Sequence, residues 1–166
     1  MASELDPAVA AVLARTNVSY DVIACDPELA DTAQFCAAYG YSLEDSANAI
    51  VVIGKSEPPR YAACVVLATT RLDVNRAVKR KLGVRASFAP PDDVARVTGM
   101  TLGGVTPIGI ANIPIWVDAR VMSRARIILG GGNRFSKILT SPAIFRALPN
   151  AEIVEGLAEP LSGPAQ

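Results

Sequence analysis

Apolar positions along this chain switch repeatedly between the helical and the extended period. After Asp6-Pro7, an N-cap and N1 pair, Val9, Val12 and Leu13 fall on one helical face. Residues 20–24 read as a first strand. Asp31 or Thr32 caps a helix that Gly40 ends in the left-handed conformation. Residues 49–53 and 61–69 are apolar, β-branched runs separated by a turn-rich stretch at 54–59, which predicts a hairpin. Asp73 caps a helix that ends near Gly83 and buries Val74, Ala77, Val78 and Leu82. Pro91-Asp92-Asp93 opens another helix that stops at Gly99. Short strands are predicted at 115–117, 126–129 and 138–139, a helix from Ser141-Pro142 through Leu148, and a last strand at 151–154. Strands interleaved irregularly with helices predict an α/β domain around a mixed sheet, not a doubly wound one.

Composition narrows the class. At 166 residues the chain suits one domain with a full core, expected over residues 1–158. Residues 159–166 hold two prolines and one glycine and are expected to form a disordered tail. The longest apolar runs are too short to span a bilayer. Met1-Ala2-Ser3-Glu4 lacks the basic-then-apolar pattern of a signal peptide. The three cysteines (Cys25, Cys36, Cys64) have no paired spacing and read as reduced thiols, so the expected location is the cytoplasm. Histidine is absent, which excludes Ser-His-Asp and Cys-His catalysis and a histidine-based zinc site. No metal and no cofactor are expected. With 16 basic and 16 acidic residues, attraction to a polyanion must come from local patches.

Two glycine-rich segments carry the candidate chemistry. Thr98-Gly99-Met100-Thr101-Leu102-Gly103-Gly104-Val105-Thr106-Pro107-Ile108-Gly109 sets four glycines and a proline among small and apolar residues. Such a loop either turns the chain or recognises a ligand through backbone N–H and C=O groups. Gly130-Gly131-Gly132 follows the strand-like Ile127-Ile128-Leu129. A dinucleotide site would need a helix directly after these glycines. Here Phe135-Ser136-Lys137-Ile138-Leu139 reads as another strand, so the cluster is a hairpin turn, bordering a ligand pocket or not.

The first of these segments resembles the Thr-Gly-x-x-x-Gly-Gly-x-x-Pro-x-Gly signature of the YbaK/EbsC family, whose domain also occurs as the editing insertion of bacterial prolyl-tRNA synthetases. Asp31-Thr32-Ala33, Leu72-Asp73-Val74-Asn75-Arg76-Ala77-Val78-Lys79, Pro114-Ile115-Trp116-Val117-Asp118 and Gly130-Gly131-Gly132-Asn133-Arg134 resemble further family segments in the same order. The resemblance covers roughly residues 5 to 158. It implies the family's fold around a mixed, strongly curved sheet, and hydrolysis of a wrong amino acid from the 3′ acceptor end of a transfer RNA. The ester is already activated and the neighbouring ribose hydroxyl can position or activate water, so no enzymic nucleophile is required. The implied partners are aminoacyl-tRNA and an aminoacyl-tRNA synthetase, with no membrane.

Carried onto this chain, the resemblance implies backbone contacts from Gly103, Gly104 and Val105, with Thr98, Pro107 and Gly109 holding the loop beside the substrate. The family's lysine at the start of the strand at 49–53 corresponds to Asn48 here, or to Ala47 if the alignment slips by one. In the branch that removes cysteine, a first-strand tyrosine corresponds to Cys25, and an acidic residue after the glycine turn to Lys137. Asn48 donates hydrogen bonds but cannot neutralise phosphate. If Asn48 and Lys137 line one pocket, the cation lost at one wall is regained at the other; otherwise Lys137 points outward on its strand. Lys55, at the far end of the strand at 49–53, reads as a solvated loop lysine.

Several residues keep two readings. Arg134 and Gly131 border the turn and offer a phosphate contact or a plain turn. Asp118 either orients an amino group or cation in the pocket, or caps the turn at 119–123. Arg76, Lys79, Arg80, Lys81 and Arg85 give one helix a basic face, either solvated or a seat for the acceptor stem. Trp116 reads as core rather than as a base-stacking platform. Two functions follow: a free-standing deacylase that clears a mischarged small amino acid, or a non-catalytic module that binds an aminoacyl-adenosine or tRNA 3′ end. Loss of the lysine favours the second; the glycine-proline loop fits both.

Overall fold

The structure is a computed structural model that describes residues 5–161. Its strands, in chain order, are β1 (Tyr20–Ala24), β2 (Ala47–Gly54), β3 (Arg60–Leu67), a short β4 (Thr70–Leu72), β5 (Ala86–Phe88), β6 (Ile115–Asp118), β7 (Ile127–Gly130), β8 (Ser136–Thr140), β9 (Ala151–Val154) and β10 (Ala158–Pro160). The five-stranded sheet runs β5-β2-β3-β6-β9, a three-stranded sheet runs β1-β8-β7, and β10 pairs with β4. In the larger sheet β2 is antiparallel to β3 and β5, while β3, β6 and β9 are parallel. The sheet is mixed, as the irregular interleaving predicts. Its strands belong to a single α/β domain divided among three sheets, not to one curled sheet.

The apolar sequence of β3 explains its central place. Ala63, Val65 and Leu67 face one core, with α1 (Pro7–Arg15) and the three-stranded sheet. Ala62, Cys64 and Val66 face a second core with Val78, Leu82, Trp116 and Leu157. A strand buried on both faces needs a continuous apolar run rather than alternation. On the outer side of the three-stranded sheet, α2 (Thr32–Tyr39) packs Phe35 and Cys36 against Cys25 and Ile128. Gly40 ends α2 at φ +78°. Trp116 is buried in the second core.

Three local expectations change. The helix after Asp73 begins as a π-helical turn (Val74–Val78) and continues as a short α3 (Lys79–Leu82). The segment after Ser141 makes only a 3₁₀ turn, Pro142–Arg146. Within the expected tail, Glu159 and Pro160 are ordered in β10, because pairing with β4 satisfies their backbone; residues 162–166 lie outside the described residues. The helix α4 (Pro91–Thr98) stops at Gly99, φ +72°.

The two glycine-rich segments pack backbone against backbone. Gly132 N–H donates to the Gly104 carbonyl at 2.7 Å. A Cβ on Gly104 would overlap the backbone of Asn133, and one on Gly130 would sit 2.7 Å from the carbonyl oxygens of both Gly104 and Val105. The absent side chains are therefore spent on contact between loops. Gly104→Ala should cost roughly 2–4 kcal/mol, the scale of severe overpacking. Gly40→Ala, with nothing within 4 Å of the new Cβ, should cost only its left-handed strain, about 1 kcal/mol. Urea unfolding of the two variants checks this; equal losses would refute the loop contact.

Asp118 is a core residue. Its side chain is fully buried, accepts from Ala158 N–H at 3.4 Å, and lies 4.0 Å from the Arg120 guanidinium, while Oδ2 has no hydrogen-bond partner. It occupies the N-cap position of the following 3₁₀ turn without a side-chain cap hydrogen bond. Burial pushes its carboxyl above the ordinary 3.8, with the Ala158 N–H and Arg120 opposing. The folded state therefore holds this proton more tightly than the unfolded chain, and the residue's contribution falls as pH rises from 3.8 through the raised value. Asp118→Asn should be more stable than the parent at pH 8 by on the order of 1 kcal/mol, and that advantage should shrink at pH 4.5. Thermal melts at both pH values test it; an advantage that grows on acidification would reverse the sign.

Candidate functional site

The short β5 creates the site. It pairs with β2 only over Val52–Gly54, and Ala89 N–H caps the Val51 carbonyl. Between that point and the parallel bridge of Ser46 to Ile128 of β7, the first half of β2 is left as an open edge. A cleft of about 440 Å³ runs along that edge, lined by Asn48, Phe88, Gly103, Val105, Gly130 and Lys137 among others. This volume lies within the range of small-molecule sites. A recess of about 20 Å³ continues beneath it, between Phe35, Asn48, Ile128 and Lys137.

Lys137 points into the protein. On β8, Ile138 faces the main core, so its neighbour Lys137 faces α2. The side chain is 7 % exposed, donates to the Ala30 carbonyl at 2.6 Å, and holds its ammonium 5.4 Å from the centre of the Phe35 ring. Burial lowers its pKa from the usual 10.5, with Cys25 and Asp31 opposing the shift. Asn48 lines the same cleft from β2, and its amide oxygen accepts from the Thr32 hydroxyl at 2.7 Å. Among the described residues, the Asn48 amide hydrogens have no hydrogen-bond acceptor. Asn48 and Lys137 thus line one cleft, the first from β2 and the second from β8.

The loop residues divide into two roles. Gly103 and Val105 line the cleft, and among the described residues their N–H groups have no intramolecular acceptor. Gly104 lies between them but is buried, with its N–H bonded to the Thr101 carbonyl at 2.9 Å. Arg134 straps the loop from outside. It donates to the Pro27 carbonyl at 2.8 and 3.1 Å and to the Leu102 carbonyl at 3.3 Å, and lies 3.6 Å from Asp31. A Cβ on Gly103, which sits at φ +88°, would overlap this guanidinium.

The other expected site residues stand outside the cleft lining. Thr98 accepts from Met100 N–H and donates to the Val94 carbonyl, closing the end of α4. Pro107 is buried, and Gly109, φ +102°, passes close to Ala8 and Val9 of α1. Gly131 accepts from Asp6 N–H at 3.0 Å, tying the turn to the start of α1. Asp118 sits on the side of β6 that carries Trp116, the second core. Cys25 is buried near Lys137; its thiol donates to the Asp26 carbonyl, and burial pushes its pKa up against the Lys137 charge. Arg76 pairs with Asp73 and Glu159 and lines a separate groove with Arg71. Arg80 borders a third groove, and Lys79 is exposed. Lys81 bonds Glu152 at 2.9 Å and lies over Trp116. The basic helix face is therefore partly neutralised.

Sequence reasoning missed Thr32 as the partner of Asn48, Ala30 as the acceptor for Lys137, and Phe88 as part of the rim. Phe88 lies on a strand of three residues, too short for a period to register. The Thr32–Asn48 pair spans 16 positions, a separation at which no local pattern signals contact. Among the described residues, no cluster of His, Cys, Asp and Glu could hold a metal, and no helix is long and apolar enough to cross a membrane.

With this geometry in view, known proteins place the chain. The uncharacterized protein YwhH of Bacillus subtilis (strain 168) is 25 % identical over 127 residues, covering 76 % of this chain and 79 % of YwhH. The crystal structure of the hypothetical protein APE2540 shares 22 % identity at a TM-score of 0.81, covering 92 % of this chain and 99 % of that one. A second structure, provisionally described as a trans-editing enzyme for prolyl tRNA synthetase, shares 20 % identity at a TM-score of 0.77, covering 96 % and 100 %. At these identities the structures establish the fold alone. The model of the aminoacyl-tRNA editing domain matches residues 26–148, which span the cleft and both glycine loops, and the chain belongs to that family.

Proposed function

We propose that this protein is a free-standing aminoacyl-tRNA deacylase that hydrolyses a mischarged small amino acid from the 3′ end of tRNA. The observation that carries the reading is the convergence, in one cleft, of the buried Lys137 ammonium with the unpaired N–H groups of Gly103 and Val105. A cation suits the ribose-phosphate end of the substrate, and a pair of fixed N–H donors suits the oxygen that becomes negative as an ester is attacked.

In this reading the aminoacyl ester lies along the open edge of β2, with its carbonyl oxygen toward Gly103 and Val105. Water, oriented by the neighbouring ribose hydroxyl, adds to the carbonyl carbon and gives its proton to that hydroxyl, which passes its own on to the ester's ribose oxygen. The ester C–O bond then breaks, and the ribose oxygen leaves with that proton. The chain supplies positioning and oxyanion stabilisation, which is consistent with the absence of histidine. Gly104 serves by holding Gly103 and Val105 apart at fixed spacing. Asn48, held by Thr32, offers its amide hydrogens to the substrate. The recess of about 20 Å³ favours an amino acid with a very small side chain, since such a space holds about one water.

Transfer RNAs mischarged with alanine, serine or cysteine should therefore lose the amino acid faster than those charged with leucine or phenylalanine, as read by retention of radiolabel on a filter. Lys137→Ala should weaken binding of an aminoacyl-adenosine phosphate analogue by about 1–3 kcal/mol, the scale of a charge-assisted hydrogen bond. Lys137→Met should show the same loss while its stability stays within about 1 kcal/mol of the parent, because removing a buried cation also removes its desolvation cost. Asn48→Lys alone should not improve binding, since two ammonium groups would repel; Asn48→Lys with Lys137→Asp should recover it. Parental binding by Lys137→Ala, with no gain from the double change, would refute the relocated cation. Binding without turnover on every mischarged tRNA would leave the non-catalytic module as the function.

A further inference from the structure

Phe88 stands where three surface depressions meet. It lines the cleft, a groove of about 580 Å³ shared with Arg71, Asn75 and Arg76, and a third depression beside Lys55. Its side chain is 61 % exposed, although it sits in a strand whose partner residue, Val52, is fully buried. A phenylalanine ring at the mouth of a cleft, with polar groups on the far side, has the make-up of a base-stacking site.

We propose that Phe88 stacks the base next to the aminoacylated nucleotide, and that the groove past Arg71 carries the single-stranded RNA that leads to it. The inference rests on the cleft being the seat of the aminoacylated end. A nucleotide held there must connect to the rest of its strand, and the Phe88 rim opens directly into the Arg71 groove. The charges facing that groove decide how the strand is held. Arg76 is tied to Glu159 at 3.4 Å and to Asp73 at 3.7 Å, whereas Arg71 is exposed and, among the described residues, has no ion pair. One cation is thus available for one phosphate. Affinity must come mainly from stacking and depend weakly on salt, in keeping with a chain of zero net charge.

The test uses the full chain and a fluorescently labelled single-stranded RNA hexamer ending in CCA, titrated by anisotropy at several salt concentrations. Phe88→Ala should weaken binding roughly 5- to 100-fold, the range for loss of one stacked base. Phe88→Trp should bind like the parent, and its new indole emission should be quenched on saturation, against a background from the buried Trp116. Arg71→Ala should flatten the dependence of log K on log salt by about 0.7, one single-strand phosphate, and Lys55→Ala should leave it unchanged. Parental affinity in Phe88→Ala, no quenching in Phe88→Trp, a flattened slope in Lys55→Ala but not in Arg71→Ala, or equal binding of a blunt RNA duplex would each overturn the proposal, as would a parent that does not bind the hexamer. The deacylase reading fails separately, in the mischarged-tRNA assay, since hexamer binding requires no turnover.

Discussion

The close approach of two glycine-rich loops is the constraint on which the cleft depends. Gly104 and Gly132 meet through a 2.7 Å backbone hydrogen bond, and the positions of Gly104 and Gly130 admit no Cβ. This contact does more than close a gap. By burying Gly104 and directing its N–H to Thr101, it turns the flanking Gly103 and Val105 toward the open edge of β2. Arg134 then ties the loop to the Pro27 carbonyl, and Asp6 N–H ties the turn at Gly131 to the start of α1. Free donors in the cleft therefore rest on donors already used just behind it. Preorganisation of this kind matters most in a site that works through backbone dipoles, which cannot be re-aimed by a rotamer change.

The same economy governs the buried cation. An ammonium group as enclosed as Lys137 loses much of its hydration, and its contacts replace only part of it: one carbonyl, from Ala30, and the face of Phe35. The lowered pKa records the deficit. Two further donor directions of the ammonium remain for a ligand, and Lys137 lines both the cleft and the recess beneath it. A phosphate or ribose oxygen arriving there would restore hydration lost on folding. A lysine on the β2 wall, by contrast, would approach from the more exposed edge of the cleft. On β8 the cation is enclosed, with its ammonium fixed to the Ala30 carbonyl.

Much of this fold is legible in the sequence because its signals are local. Asp6-Pro7 opens α1, Gly40 and Gly99 close α2 and α4 with positive φ, and the apolar runs of β2 and β3 form the hairpin. The ordered motifs supplied the family. What was not legible is decided at long range. β5 and β10 have three residues each and exist through pairing with β2 and β4. The glycines of residues 98–109 read equally as ligand contacts or as turns, and Gly104 serves the packing of a segment some thirty positions away, which no period encodes. Asp118 looked like a pocket or cap carboxylate because an acid at a strand end commonly is one, yet the register of β6 carries it into the second core beside Trp116.

A strand edge left unpaired is ordinarily a hazard, since its N–H and C=O groups invite association with other chains. Here the brevity of β5 leaves the first half of β2 open, and the glycine loop, the start of α2 and Phe88 surround that opening without pairing to it. The edge is thus screened from another strand while staying open to a slender ligand. Its walls are small: Ala47, Ala49 and Gly130 line the cleft beside Asn48. Larger side chains there would fill the cleft. The alanine-rich start of β2 is weak as a strand former and is held by β3 on its other side over all eight residues. Pairing with β3 along its whole length thus anchors the strand whose other edge stays open along the cleft.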